Sequence, residues 1–242
     1  MIVIKNLTKK FDTLVAVKDL NLNIEPGKIF GFLGPNGAGK TTIIKILMGL
    51  LFPTEGRMFI NNIEVSIENS YEIKRMVGYV PEDPILYDKL TGFEFVNFIC
   101  TMYEMDEKEI IEKIDYYFQL LDLKDHSNRF IETFSKGTKR KLSITSALIH
   151  DPEILILDEP TEGLDPRMIY RLKNLLIENK KKGKTIFLST HILQIAEELC
   201  DEVGILDKGN LLFVGTVEEL RDLEKMPGAN LEKLFLQLTD EK

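Results

Sequence analysis

Residues 34–41 (GPNGAGKT) combine glycines, a lysine and a threonine at a spacing that suits the binding of phosphate groups. The segment fits the pattern G-x-x-x-x-G-K-[ST]. Its glycines allow successive backbone N–H groups to turn toward one point, because no Cβ obstructs them. Lys40 would reach the β- and γ-phosphates of a nucleotide, and the Thr41 hydroxyl would hold Mg²⁺. A glycine-rich turn that binds nothing is the alternative interpretation.

A second group of chemically useful residues ends the run ILILDEP, residues 154–160. The run reads as an apolar strand followed by two acids. Asp158 at the carboxyl end of the strand is expected to hold the Mg²⁺ shell. Glu159 would face the γ-phosphate and orient or deprotonate the attacking water. An acidic turn is the alternative, and the phosphate loop elsewhere in the chain weakens it.

His191 follows the next apolar strand, residues 185–189. The end of that strand would lie on the same sheet edge as Lys40 and Asp158, so His191 is predicted to contact the γ-phosphate and the water. A structural or merely exposed histidine is the alternative.

Ser135 opens a predicted helix in the run SKGT. It is a good helix N-cap, and capping alone would explain it. The other interpretation is a second phosphate contact, made by the Ser135 side chain and the Gly137 backbone N–H. The spacing leaves these two interpretations open.

Strands and helices must position these groups. An apolar strand at Ile29–Leu33 precedes the phosphate loop, and four apolar residues at helical spacing follow it: Ile43, Ile44, Leu47 and Leu51. This order places the loop's backbone donors at a helix N-terminus, which favours anion binding. Residues 1–60 look strand-rich, residues 84–150 look helical, and strands and helices alternate after residue 150. The order predicts an α/β core with a helical insertion.

Composition narrows the function classes. The 242 residues carry a formal net charge of −8, which argues against a non-specific grip on nucleic acid. Two cysteines without a C-x-x-C spacing suggest neither a disulfide framework nor a zinc site, so a reducing cytoplasmic setting is expected. The first ten residues read as a strand rather than a signal peptide. No stretch of about 18 consecutive apolar residues predicts a transmembrane helix, so a membrane role would need a partner chain.

Taken together and in order, these motifs resemble those of the nucleotide-binding subunit of ABC transporters. The resemblance covers about residues 1–220 and depends on five motifs: the phosphate loop, FSKGT at residues 134–138, the acidic strand, GLDP at residues 163–166, and His191. It implies a P-loop NTPase core with an antiparallel β subdomain and an α-helical subdomain inserted at about residues 84–150. Residues 221–242 would form a short C-terminal helix or tail.

The resemblance also implies a role for each site residue. The cofactors would be ATP and Mg²⁺, the catalytic residues Lys40, Glu159 and His191, and the metal ligands Thr41, Glu82 and Asp158. Asp165 matches the residue that links the two sites of a dimer. The ATP-binding residues would be Phe11, Val17, Gly34, Pro35, Asn36, Gly37, Ala38, Gly39, Lys40, Thr41 and Thr42, with Phe11 stacked on adenine and Val17 beside it. The signature that contacts ATP bound to the other chain would comprise Ser135, Lys136, Gly137 and Thr138.

Two positions depart from the family pattern. Lys136 replaces the first of two signature glycines, and Glu82 stands where the family has a glutamine that senses the γ-phosphate. A carboxylate can bind Mg²⁺ or order water, but it cannot donate hydrogen bonds as an amide does. Both departures, and the run at residues 82–94, resemble the exporter-type branch of bacterial ABC ATPases.

The function implied is ATP binding and hydrolysis that energises a membrane exporter. A second copy or a homologous ATPase chain would form a head-to-tail dimer around two ATP molecules. A separately encoded permease would hold the chain at the cytoplasmic face of the membrane, docking near residues 82–103; no nucleic acid is expected. The alternative is a soluble ABC ATPase that acts on ribosomes or DNA, which the acidic balance and the lack of a long coiled-coil insertion disfavour.

Overall fold

The structure is a computed structural model that describes residues 1–240. Its strands are β1 (Ile2–Phe11), β2 (Leu14–Ile24), β3 (Ile29–Leu33), β4 (Glu55–Ile60), β5 (Ile63–Glu64), β6 (Val77–Val80), β7 (Ile154–Asp158), β8 (Thr185–Thr190), β9 (Glu202–Asp207) and β10 (Asn210–Gly215). Its helices are α1 (Lys40–Leu47), α2 (Ser70–Met76), α3 (Gly92–Met102), α4 (Glu107–Leu120), α5 (Lys136–Leu148), α6 (Pro166–Lys181), α7 (Leu193–Leu199), α8 (Val217–Leu223) and α9 (Leu231–Asp240). Short 3₁₀ turns lie at Lys124–His126 and Ile131–Thr133.

The strands form two sheets. The first has the order β2-β1-β4-β5, and all its pairings are antiparallel. The second has the order β10-β9-β3-β8-β7-β6, in which only the β10–β9 pairing among the described residues is antiparallel. The predicted fold class is confirmed: an α/β core, an antiparallel β subdomain and an inserted helical subdomain.

Strands β3 and β7 are apolar along almost their whole length because both faces of the larger sheet are covered. On β7, Ile154 and Ile156 face the cluster shared with α1 and the antiparallel sheet, whereas Leu155 and Leu157 face the cluster shared with α5 and α6. A parallel strand buried on both sides reads as a continuous apolar run. That property allows β3, β6 and β7 to be located from sequence.

The carboxyl ends of four parallel strands meet at one edge of this sheet. The phosphate loop follows β3, Glu82 follows β6, Glu159 follows β7, and His191 follows β8. Segments separated by up to about 150 positions in sequence therefore converge, as expected for ligand sites in open α/β sheets.

The inserted subdomain contains α3, α4 and α5, which begin at well-formed caps. Thr91 and Glu94 make a capping box at α3, and Asp106 caps α4. Ser135 caps α5 by accepting a hydrogen bond from the Thr138 N–H. Residues 84–91 and 121–135, within the part predicted as helical, form loops and the two 3₁₀ turns.

The C-terminal segment packs on the core. Helix α8 crosses residue 220, where the sequence suggested a boundary, and α9 buries Leu231 and Leu234 in a cluster with Ala196 of α7. Residues 241 and 242 of the predicted helix or tail lie outside the described residues, and the division into domains stays a prediction. Within residues 1–240, no helix has both the length and the apolar character needed to cross a membrane.

Candidate functional site

The phosphate loop joins buried β3 to α1. Helix α1 begins at Lys40 with Gly39 as its N-cap and has no side-chain cap, so its first N–H groups are not occupied by a capping side chain. Gly39 has φ of 112°, and a Cβ at this position would lie 2.6 Å from the Ala16 carbonyl oxygen. Only glycine fits both restrictions. The result is a set of backbone donors at a helix N-terminus.

Lys40 is the cation at the centre of the site, although it is only 6% exposed. Its Nζ donates to the carbonyl oxygens of Gly34 at 2.6 Å and Pro35 at 3.2 Å, and lies 3.8 Å from Glu159 Oε1. Burial lowers the pKa of Lys40, and the charges of nearby acids oppose that effect. Phosphate oxygens would be stronger acceptors for this ammonium group than the two neutral carbonyls.

Asp158 lies fully buried at the end of β7. Its Oδ1 accepts a hydrogen bond from the Ser189 hydroxyl, whereas Oδ2 is buried without a hydrogen-bond partner among the described residues. Burial raises the pKa of Asp158. An unpartnered buried carboxylate oxygen is costly unless something else satisfies it.

Thr41 and Glu82 complete a set of oxygen ligands with Asp158. Thr41 Oγ1 lies 3.4 Å from Glu82 Oε2, and the Thr41 side chain acts to lower the pKa of Asp158, against the effect of burial. Carboxylate and hydroxyl oxygens are the ligands that Mg²⁺ prefers. Together with the unpartnered Asp158 oxygen, this donor set fits a magnesium ion.

Glu159 turns back toward Lys40 because its backbone is left-handed, with φ of 47°. Such a conformation is uncommon for a non-glycine residue and is often associated with function. The side chain is 5% exposed; Oε2 lies 3.0 Å from His191 Nδ1, and Oε1 has no hydrogen-bond partner within residues 1–240. His191 is half exposed. A carboxylate with one unoccupied oxygen can accept a proton from water.

These groups lie beside a cavity of about 460 Å³, a size typical of small-molecule sites. Phe11, which is 42% exposed, forms part of its wall. The predicted ATP-binding residues that line the cavity are Phe11, Pro35, Asn36, Gly37, Gly39, Lys40, Thr41 and Thr42. Those that do not line it are Val17, Gly34 and Ala38, which are buried.

Five residues that line the cavity were not predicted: Leu14, Val15, Ala16, Lys208 and Gly209. The first three lie on β2, immediately before buried Val17. The other two form the β9–β10 turn, which is tied to the loop by a hydrogen bond from the Gly209 N–H to the Ala38 carbonyl at 3.0 Å. The sequence indicates the turn, but only the tertiary pairing brings it to the site.

The signature residues do not join this cluster. None of residues 135–138 lines the cavity of the described chain. Ser135 is exposed, Lys136 pairs with Glu162 at 2.6 Å, and a Cβ on Gly137 would lie 2.6 Å from the Gly163 carbonyl oxygen. Asp165 is also exposed and caps α6 by accepting from the Met168 N–H at 2.9 Å. These residues form a surface beside the Gly163 turn.

Comparisons with known proteins agree on one family. A family model described as ABC transporter matches residues 17–162. An uncharacterized ABC transporter ATP-binding protein of Nostoc sp. is 37% identical over 209 residues, 86% of this chain and 62% of the relative. The bacitracin transport ATP-binding protein BcrA of Bacillus licheniformis is 38% identical over 237 residues, 98% of this chain and 74% of the relative. The chain thus spans about three fifths of the length of the Nostoc relative.

Solved structures resemble the whole described fold. The ATP-binding subunit of an ABC transporter matches with a TM-score of 0.94 and 33% identity, covering 99% of each chain. The ATP-binding cassette MJ0796, solved as a dimer in a post-hydrolysis state bound to ADP and Pi, matches with a TM-score of 0.81 and 28% identity. That match covers 90% of this chain and 99% of MJ0796.

Proposed function

The chain belongs to the ABC transporter family of ATP-binding proteins, and we propose that it hydrolyses ATP to energise a membrane exporter. The observation that carries the proposal is the convergence of Lys40, Asp158 and Glu159 beside a cavity that the phosphate loop lines. A cation, a metal ligand and a general base at one sheet edge are what phosphoryl transfer to water requires.

Binding begins with the exchange of partners at Lys40. Its ammonium group leaves the Gly34 and Pro35 carbonyls and donates to the β- and γ-phosphates, while the N–H groups of the loop hold the other phosphate oxygens. Phe11 lines the same cavity, and its aromatic ring would stack on the base. The binding energy comes from the charged end, because charge-assisted hydrogen bonds are stronger than neutral ones.

Hydrolysis then depends on Glu159. Its Oε1, which has no hydrogen-bond partner within residues 1–240, would accept a proton from the attacking water, and His191, which contacts Oε2, would hold the carboxylate and touch the γ-phosphate. Thr41, Glu82 and Asp158 would hold Mg²⁺, which when bound neutralises charge on the phosphates. Positioning and electrostatics supply most of the rate gain in such a reaction.

We further propose that two chains sandwich ATP head to tail. Ser135 and the Gly137 N–H lie outside their own chain's cavity, so they can act on a phosphate only if it is bound to another chain. The dimeric MJ0796 structure with ADP and Pi supports this arrangement. Hydrolysis would remove the γ-phosphate bridge and let the pair reopen.

The permease would dock on the inserted subdomain at the cytoplasmic face of the membrane. Ile85 is 87% exposed, and Tyr87, Phe98 and Met102 are also exposed large side chains in this region, whereas Phe95 is buried. Tyr87 contacts the Phe98 ring edge-on at 5.8 Å. Exposed apolar patches of this kind mark interaction surfaces. Specificity for the exported substrate would reside in the permease.

Copurification and enzyme assay test the proposal together. The expected result is that the tagged chain copurifies with a polytopic membrane protein and that the purified chain hydrolyses ATP only with Mg²⁺. Association with ribosomes or DNA would point instead to a soluble ABC ATPase. Absence of ATP binding by the folded chain would contradict the proposal altogether.

A further inference from the structure

Arg140 is a fully buried cation with no direct role in the proposed ATP site. It lies on α5, the helix that the signature residues begin. Its Nη1 donates to the Pro81 carbonyl at 2.5 Å, and its Nη2 donates to the Glu82 carbonyl. One guanidinium group therefore holds two successive carbonyls of the loop after β6.

The loop that Arg140 holds carries the Glu82 carboxylate. Glu82 points its Oε2 toward Thr41, one of the proposed magnesium ligands, at 3.4 Å. A backbone fixed at residues 81 and 82 limits where that carboxylate can lie. Ligands in metal sites are commonly oriented by a second layer of hydrogen bonds, and loss of such partners costs about 10- to 100-fold in affinity or activity.

The buried charge of Arg140 must be compensated by its hydrogen-bond partners and by nearby charges. A charge held away from water is destabilising unless hydrogen bonds and nearby charges compensate it. Here the nearest carboxylate, Glu162 Oε2, is 3.9 Å away, and Nε has no hydrogen-bond partner among the described residues. The two loop carbonyls are thus the main partners. The planar fork of arginine can serve both at once, whereas a lysine offers one point charge.

We propose that Arg140 is a positioning residue that sets Glu82 against Thr41 and thereby tunes metal affinity at the ATP site. Glu162, whose Oε2 lies 3.9 Å from the Arg140 guanidinium group, also pairs with Lys136 of the signature at 2.6 Å. The inference rests on the proposed function only in treating Glu82 as a metal ligand.

The test measures Mn²⁺ binding to the full chain with a non-hydrolysable ATP analogue, by electron paramagnetic resonance of the free ion. Arg140→Lys is expected to raise the Mn²⁺ concentration for half-saturation about tenfold, with metal-free binding of the analogue unchanged. Arg171→Lys is the matched control. Arg171 also joins a backbone carbonyl, that of Leu120, to a carboxylate, that of Asp122, but lies away from the cavity. It should leave Mn²⁺ affinity within twofold.

A double-mutant cycle separates positioning from general structural damage. In a Glu82→Ala background, Arg140→Lys should change Mn²⁺ affinity by less than twofold, because the group that it positions is gone. An equal tenfold effect in both backgrounds, or no effect in the wild type, would overturn the proposal.

Limited proteolysis distinguishes this failure from failure of the proposed function, since it needs no ligand. Cleavage of the loop after β6, for example by trypsin at Lys89, should be about tenfold faster in Arg140→Lys and Arg140→Gln but not in Arg171→Lys. An unchanged cleavage rate would overturn the role of Arg140 even if the wild type binds ATP. Faster cleavage in a chain that binds no nucleotide would support the contact between Arg140 and the loop but contradict the ATP site.

Discussion

The phosphate-loop half and the signature half of the proposed ATP site are built in opposite ways. Lys40, Asp158 and Glu159 are buried, face one another and line or underlie one cavity. Ser135 and Lys136 are exposed, and their partners within the chain are a helix end and Glu162. The first half is held by the core, whereas the second is a surface patch. This difference supports the proposal that one chain forms the first half alone and that a second chain supplies the other half.

The largest effect is expected in the buried half, at Glu159. Glu159→Gln keeps the shape but removes the proton acceptor, so the rate of ATP hydrolysis should fall about 10³-fold while ATP binding persists. A stable ATP-bound dimer should accumulate, measurable by light scattering. Glu198→Gln, which changes an exposed ion pair with Lys173, is the control and should hydrolyse at the wild-type rate. Hydrolysis by Glu159→Gln at the wild-type rate would show that Glu159 is not the general base.

Lys40 should show the next largest effect. Lys40→Ala removes charge-assisted hydrogen bonds to the phosphates. Their loss should cost about 2–3 kcal/mol of binding free energy, which corresponds to roughly 100-fold weaker ATP binding. Titration with a fluorescent ATP analogue measures the affinity of each variant. Lys45→Ala on the exposed face of the same helix should bind normally. Equal affinities of the two variants would contradict the phosphate-loop role.

Substitution of Phe11 tests the proposed stacking of the base on the cavity wall. Phe11→Ala should weaken ATP binding about tenfold, since stacking of a base on an aromatic ring contributes about 1–3 kcal/mol. Phe11→Tyr, which keeps an aromatic ring, should bind ATP with about the wild-type affinity. Phe52→Ala, another exposed phenylalanine outside the cavity, is the control in the same titration. If both alanine variants bind alike, the base does not stack on Phe11.

The smallest expected effect is on the pH dependence of stability, and it concerns the carboxyl end of α5, the helix that the signature residues begin. His150 follows α5 and stacks on Tyr103 with ring centroids 3.8 Å apart. Burial lowers the pKa of His150 to about 4, so the unfolded chain takes up a proton near pH 6.5 before the folded chain does. The free energy of unfolding should therefore fall as pH drops from 7.5 to 5.5, by about 1 kcal/mol from this group.

His150→Phe keeps a ring against Tyr103 and removes the titration. Denaturant unfolding of wild type and variant at both pH values gives the difference. A pH dependence equal in the two proteins would show that His150 contributes none of it.

The buried half was the easier part to predict from sequence. β3 has the predicted bounds, and β7 extends one residue beyond the apolar run to include Asp158, because these apolar strands stop at glycine or acidic residues. Asp165 and Pro166 mark the start of α6 through an N-cap and a proline suited to the first helical position. These element boundaries can be predicted from neighbouring residues alone.

Other elements depend on pairing that a single sequence does not reveal. β1 continues to Phe11 and β2 begins at Leu14 because the two strands pair across exposed polar residues that lack clear alternation. Helices α2 and α7 have seven residues each and no side-chain cap, so no local signal starts them. The contribution of Lys208 and Gly209 to the cavity arises from the packing of the β9–β10 turn on the phosphate loop.

The central claim is that one chain's phosphate loop works with the other chain's signature, and mixing two variants tests it most directly. Lys40→Ala disables the first half, and Ser135→Asp places a negative charge at the second while aspartate still caps α5. Ser135→Asn caps the helix without the charge and serves as the control, with activity expected to persist. Each homodimer of the two disabled variants has no intact site, but a mixed pair has one.

The measurement is Mg²⁺-dependent ATP hydrolysis by an equimolar mixture of Lys40→Ala and Ser135→Asp, compared with each variant alone. If chains pair statistically, half of the dimers carry one intact site, so the mixture should recover about a quarter of the wild-type rate. A rate no higher than the average of the two separate variants would contradict the shared site.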